Sequence, residues 1–104
     1  MISSFTNKSY DSIDASKLRE LIPNINLIDI REPYEVQRGS IKGALNIPMG
    51  LLLQNPEKYL RKERTYYIIC HSGSRSSRTC SRLAKAGYKV VNVSGGYMKY
   101  KSHI

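Results

Sequence analysis

The residues best placed to do chemistry are Cys70 and the six that follow it, in the stretch CHSGSRS. An apolar run, TYYII, stops at the thiol, and His71, Ser72, Gly73, Ser74, Arg75 and Ser76 intervene before a helical pattern takes over. A cysteine at the end of a strand and just before a helix meets unpaired backbone N–H groups and the positive end of the helix dipole. Gly73 lacks a Cβ, so the loop can curl until successive N–H groups face one centre, a nest for anions. Arg75 adds a fixed cation with a planar fork of donors. Such surroundings favour the thiolate, which is the nucleophilic form of the residue. Position alone supports a blander reading, since a free cysteine ending a strand is usually an inert small apolar residue. The Ser, Gly, Ser, Arg and Ser around it turn the balance, because a merely structural turn has little need for them.

The second cysteine reads differently. Cys80 shares an i, i+3, i+4, i+7 face with Leu83, Ala84 and Gly87, the pattern of core packing rather than of a resolving thiol. Arg75, Arg78, Arg82, Lys85 and Lys89 recur on the opposite face at steps of three and four. That stripe reads as a solvated helix surface, with docking of an acidic partner the less favoured option. His71 either adjusts the thiol or caps the loop; one histidine beside a cysteine does not make a Cys-His couple.

The elements that must position these residues alternate between β-type and helical runs. A helix is expected after Ser12, over IDASKLRELI, with Ile13, Leu18, Leu21 and Ile22 as its apolar stripe and Pro23 as its stop. Leu27–Ile30 reads as a buried strand, followed by a turn at Glu32-Pro33 and a second strand at ALNIP that Pro48 closes. MGLLLQNPEKYL supports one or two short helical turns broken by Pro56, and Thr65–Cys70 is the strongest strand. SSRTCSRLAKAGY reads as a helix with Gly87 near its C-cap, and Val90–Gly96 as another strand and turn. This alternation predicts an α/β fold with a mainly parallel sheet and a site at the carboxyl ends of its strands.

Composition narrows the classes. At 104 residues the chain is most simply one domain, and its 40% apolar content with eight Tyr fits a globular protein rather than a disordered one. The N-terminus, MISSFTNKSYD, has no basic segment leading into an apolar one, and no run approaches the roughly 18 residues a membrane span requires. No membrane association is expected, and the cytoplasm is the expected location. Two cysteines without secretory features point to reduced thiols rather than a disulfide framework. Residues 1–63 carry nine Lys/Arg against eight Asp/Glu, whereas residues 64–104 carry eight Lys/Arg and no acid. Cys70 therefore lies in a positive field that favours anionic substrates, screened over about 8 Å at physiological salt. No aromatic residues alternate with these charges as a single-strand nucleic-acid platform would prefer, so no nucleic-acid partner is expected.

At three ordered blocks the sequence resembles the rhodanese family, specifically its single-domain members. Cys70–Arg75, CHSGSR, matches the C-x-x-G-x-R form of that family's active loop. Ile28–Pro48, IDIREPYEVQRGSIKGALNIP, is similar to the upstream Asp-x-Arg, Glu and Gly-His-Ile-x-Gly-Ala-x-Asn-Ile-Pro pattern, with Ser40 where the family usually has His. VNVSGGY, Val91 to Tyr97, resembles the C-terminal Leu-x-Gly-Gly segment. The likeness runs over roughly residues 9–104, leaving residues 1–8 as an N-terminal extension.

The resemblance implies a three-layer fold, a mainly parallel five-stranded sheet with helices on both faces. It also implies a sulfurtransferase, with Cys70 as nucleophile and carrier of a covalent persulfide. The donor would be thiosulfate or another persulfide, a small anionic sulfur donor, and the acceptor a thiol, a protein or cyanide. No metal and no separate cofactor are expected. The N–H groups from His71 to Ser76 would hold the charged sulfur, Arg75 the anionic end of the donor, and Asp29 and Arg31 would brace the loop from the neighbouring strand. Two alternatives stay open. Cysteine-dependent phosphatases and arsenate reductases of related fold place five residues between Cys and Arg, where this chain has four, and a non-catalytic rhodanese-like interaction module typically lacks the cysteine.

Overall fold

The computed structural model describes residues 9–103; the expected extension over residues 1–8 lies outside them. Five strands form one sheet, β1 (Asp11–Asp14), β2 (Asn26–Asp29), β3 (Leu45–Asn46), β4 (Thr65–Ile69) and β5 (Lys89–Ser94), in the order β1-β5-β4-β2-β3. Every pairing is parallel, so the expectation of a mainly parallel sheet holds. The central strand, β4, registers Tyr67 against both Leu27 of β2 and Val91 of β5. Both faces of a parallel sheet are normally covered, which is why these strands read as near-continuous apolar runs.

Two apolar clusters, one on each face, hold the layers together. One contains Ile28, Ile30, Leu52, Ile68, Cys80, Leu83 and Val90, and gathers α3 (Met49–Gln54) and α4 (Ser74–Lys85). The other contains Ala15, Leu18, Leu27, Ile41, Ile69 and Val93, packed beneath α1 (Leu18–Leu21) with Tyr97 and Tyr100 of α5 (Gly96–Lys101). Consecutive residues of β4, Ile68 and Ile69, are each 0% exposed and enter opposite clusters, as a period of two requires.

Three elements differ from the sequence expectation. The helix expected after Ser12 starts later: Asp11–Asp14 is an edge strand, Ala15–Lys17 a 3-10 turn, and only Leu18–Leu21 is α-helical. The Asp14 carboxylate accepts the Ser16 N–H at 2.9 Å and sets the helical start at Ala15, while Ile13 pairs with Val93. Strand pairing with a segment eighty residues away is invisible to a local 3.6-residue pattern. Next, α2 (Pro33–Gln37) forms where a turn was expected, with Pro33 at its first position and a capping box between Glu32 and Glu35. Finally, α5 follows the Gly95-Gly96 turn, in a stretch where no helix was expected from the sequence.

The predicted strands at 27–30, 44–48 and 65–70 occur within two residues of their expected ends, and the helix predicted over 76–88 runs from Ser74 to Lys85. Gly87 closes α4 as expected, with its N–H on Ala84 O at 3.0 Å and the Tyr88 N–H on Leu83 O at 3.0 Å. Among the described residues no helix is long and apolar enough to cross a membrane.

Candidate active site

The strand order creates the site. From β2 the chain moves outward to the edge strand β3, and from β4 it moves the other way to β5. The segments leaving these two neighbouring strands diverge, and a crevice opens between their carboxyl ends, the usual ligand position in open α/β sheets. Residues 30–39 border it on one side, and the Cys70 loop on the other.

Cys70 sits one residue past β4 and is 1% exposed. Its sulfur accepts the N–H of Gly73 at 3.1 Å and that of Ser76 at 3.2 Å. Its S–H reaches the Ser76 hydroxyl oxygen at 3.4 Å, and that hydroxyl donates to Gly73 O at 3.1 Å. The two N–H contacts persist when the thiol loses its proton, and contacts to a charged acceptor are the stronger kind. Gly73 makes the curl at φ +111, and a Cβ there would stand 3.2 Å from Gly95 N. Of the loop, Ser76 is buried, Gly73 and Arg75 are half-buried, and His71, Ser72 and Ser74 are exposed.

What points those N–H groups inward is α5. Tyr97 N–H donates to Cys70 O at 2.8 Å and Met98 N–H to His71 O at 3.0 Å. Two loop carbonyls are thereby held outward against the start of a helix, which satisfies N–H groups that no intrahelical partner reaches. The approach is tight. A Cβ on Gly96 would lie 2.5 Å from His71 O and 2.7 Å from Cys70 O, so only glycine fits, and Gly96 also has φ +62.

Arg75 meets a carboxylate of the protein itself. Its two terminal nitrogens donate to the two carboxylate oxygens of Glu35, each at 2.8 Å, so the fork expected to grip a substrate anion is occupied by a side chain of the protein. Glu35 Oε1 also accepts the Glu32 N–H at 2.9 Å. The Arg75 guanidinium, with lesser help from the Glu32 backbone and Arg31, holds the Glu35 carboxyl down at about 2. In turn Glu35 keeps Arg75 protonated, with a smaller contribution from the charge of Cys70. Glu35 escaped the sequence reading. The three-residue spacing from Glu32 signals a helix cap, but nothing local joins it to a residue forty positions on.

Asp29 and Arg31 are each 2% exposed and form a fork of their own. Arg31 Nε and Nη2 donate to Asp29 at 3.0 and 2.7 Å, and Nη2 also donates to Gly39 O at 2.9 Å. The guanidinium carbon lies 4.1 Å from the centre of the Tyr97 ring. These residues were expected to brace the loop. They reach it at one remove, gripping the α2 segment that carries Glu35 and the Tyr97 ring whose backbone N–H holds Cys70 O. Asn46 fastens the same corner by donating to Asp29 O and Arg31 O at 2.8 and 2.9 Å.

Cys80 is 0% exposed in the cluster that also contains Cys70. Burial first, then the neighbouring Cys70 charge, push its thiol up to about 12, so it stays neutral. Both cysteines are free. Among the described residues no three His, Cys, Asp or Glu side chains gather as metal ligands.

Comparison with known proteins agrees with this geometry. The family model described as "Rhodanese-like domain" matches residues 14–103. The chain is 40% identical over 92 residues to YtwF of Bacillus subtilis, covering 86% of this chain and 88% of that protein. It is 34% identical over 97 residues to a sulfurtransferase of Allochromatium vinosum, covering 89% and 90%. A rhodanese-related protein of Thermoplasma volcanium superposes with a TM-score of 0.80 at 35% identity, over 89% of this chain and 92% of that one.

Proposed function

The chain belongs to the rhodanese-like domain family, and from that premise we propose that it is a sulfurtransferase that carries sulfane sulfur on Cys70. The observation that carries the proposal is the pair of N–H groups, from Gly73 and Ser76, aimed at the Cys70 sulfur at 3.1 and 3.2 Å. In the first step the Cys70 thiolate attacks the outer sulfur of thiosulfate or of a persulfide. With thiosulfate the S–S bond breaks, its electron pair leaves with sulfite, and Cys70 becomes a persulfide. In the second step a thiol, a protein thiol or cyanide takes the outer sulfur, and the electron pair returns to Cys70. The covalent persulfide is the only carrier the cycle needs, and two free thiols suit a reducing compartment such as the cytoplasm.

The loop amides serve the charged sulfur as an oxyanion hole serves oxygen: donors fixed in advance need no reorganisation when charge develops. Arg75 acts here as a positioning residue. Its fork ties the loop to α2 through Glu35, and it supplies positive field rather than a direct contact to the donor.

Two observations weigh against phosphatase or arsenate reductase chemistry. Four residues separate Cys70 from Arg75, giving a narrow cradle, and the Arg75 fork that a tetrahedral oxyanion would need is engaged with Glu35. The test is intact-mass measurement after incubation with thiosulfate. The mass should rise by one sulfur atom in the wild-type protein and in Cys80→Ala, and not in Cys70→Ser. Phosphate release from an aryl phosphate without sulfur loading would replace this reading with the phosphatase one.

A further inference from the structure

On the sheet face that carries α1 and α5, a pocket of about 490 Å³ is lined by Arg19, Ile22, Pro23, Lys42, Gly43 and Tyr100. None of the six lines the crevice beside Cys70. The walls come from three segments: Ile22 and Pro23 follow α1, Lys42 and Gly43 lie in the turn closed by the Ala44 N–H on Ile41 O at 3.0 Å, and Tyr100 ends α5. Ile22 and Tyr100 are half-buried against the cluster of Leu18, Leu27 and Ile41, and a Cβ on Gly43 would stand 3.3 Å from Ile22 Cγ2. The apolar wall is thus fixed before any ligand arrives. Arg19 and Lys42 are the charged residues of the lining, and both are exposed. Neither has an ion pair among the described residues, where the three pairs engage Arg31, Arg75 and Lys99. Leu18 O and Leu21 O, at the end of α1, already accept the Ile22 and Asn24 N–H groups at 3.1 and 2.8 Å. What remains for a ligand is carbon surface on the wall and two cations at the rim.

We propose that this pocket binds a small carboxylate with an aliphatic body of about six to ten carbons, a size suited to sites of this volume. Its carboxylate lies between Arg19, whose fork suits two oxygens, and Lys42, and its chain lies on Ile22, Pro23 and the Tyr100 ring. A polyanion such as a free phosphate fits poorly, because the wall has nothing to satisfy further oxygens and a buried polar group without a partner is costly. A second copy of the chain fits poorly too. It would bring a net charge of +9 toward two cations, and a stable protein interface needs about 800 Å² per partner, more than six residues around one pocket supply. The site is independent of the sulfur-carrier reading of Cys70.

The experiment titrates the full chain with octanoate, below its micelle concentration, and follows binding by calorimetry and by NMR contacts from the ligand chain. Octanoate should occupy a single saturable site and show contacts to the Ile22 methyl groups and the Tyr100 ring. Neutral octanamide should bind about tenfold more weakly, and hexanoate, two CH₂ groups shorter, about tenfold more weakly as well. The Arg19→Gln/Lys42→Gln double variant should lose about tenfold for octanoate and nothing for octanamide. Both substituted side chains are exposed and unpaired, and an unchanged amide NMR spectrum away from the pocket verifies the fold of the variant. Equal octanoate affinity in wild type and variant, contacts elsewhere on the protein, or no saturable binding overturns the assignment. A wild-type dimer that the double variant dissolves, without octanoate uptake, overturns it in favour of a second copy.

Discussion

Glu35 and Arg75, forty positions apart, meet through two parallel hydrogen bonds of 2.8 Å, the fork-to-fork geometry in which arginine and carboxylate fit best. The pair joins the segment leaving β2 to the loop leaving β4 and closes one side of the crevice around Cys70.

That pair should be visible in acid. Glu35 has its folded-state carboxyl held at about 2, below the roughly 4.3 of an unfolded glutamate, so its contribution is complete above pH 4.3 and is lost as pH falls toward 2. Glu35→Gln should cost about 1–2 kcal/mol at neutral pH and remove that part of the acid dependence. Urea unfolding of both proteins from pH 7 to pH 2 checks it; parallel pH curves would contradict the link.

Arg75→Lys separates anchoring from binding. Lysine retains the charge but cannot make both bonds to Glu35. As a positioning residue, Arg75 should lower kcat when replaced, by on the order of tenfold, and change the KM for thiosulfate by less than about threefold. A large rise in KM with kcat intact would show direct contact with the donor.

Gly96→Ala drives a Cβ to within 2.5 Å of His71 O and asks alanine to hold φ +62. We expect a stability loss of about 1–3 kcal/mol and a fall in sulfur loading of at least about tenfold, because the Cys70 and His71 carbonyls must move. Gly50→Ala is the control. Gly50 lies in α3 with nothing within 4 Å of its Cβ position, and the change should stabilise by up to about 1 kcal/mol without altering loading. Equal loading in the two variants would remove α5 from the description of the site.

Breaking the Asp29–Arg31 pair is expected to be the most damaging of these changes. Arg31→Ala leaves a buried carboxylate without its counter-charge and Tyr97 without its stacked guanidinium, at a cost of about 3–5 kcal/mol. Thermal unfolding measures it; a loss under about 1 kcal/mol would mean that water replaces the guanidinium.

Much of this was legible along the chain. The apolar runs of β2 and β4, the amphipathic α4 and the small-residue loop from Cys70 to Ser76 each declare themselves locally, because strand burial, helix periodicity and turn chemistry are properties of neighbouring residues. Spacing alone placed Cys70 beside a helix N-terminus and set Cys80 on a buried face. The role of Arg75 was not legible. A fork can grip a substrate or a side chain with the same geometry, and the choice depended on whether Glu35 would arrive from another strand end. The edge strand β1 exists because β5 offers it hydrogen bonds, and α5 follows from two loop carbonyls that accept its first N–H groups. Sequence by itself determined which residue types could stabilise a sulfur anion and in what order they come. Tertiary structure alone decided which of their donors stay free for a ligand, because each donor is spent on the nearest acceptor in space, and nearness in space is set by the order of strands in the sheet.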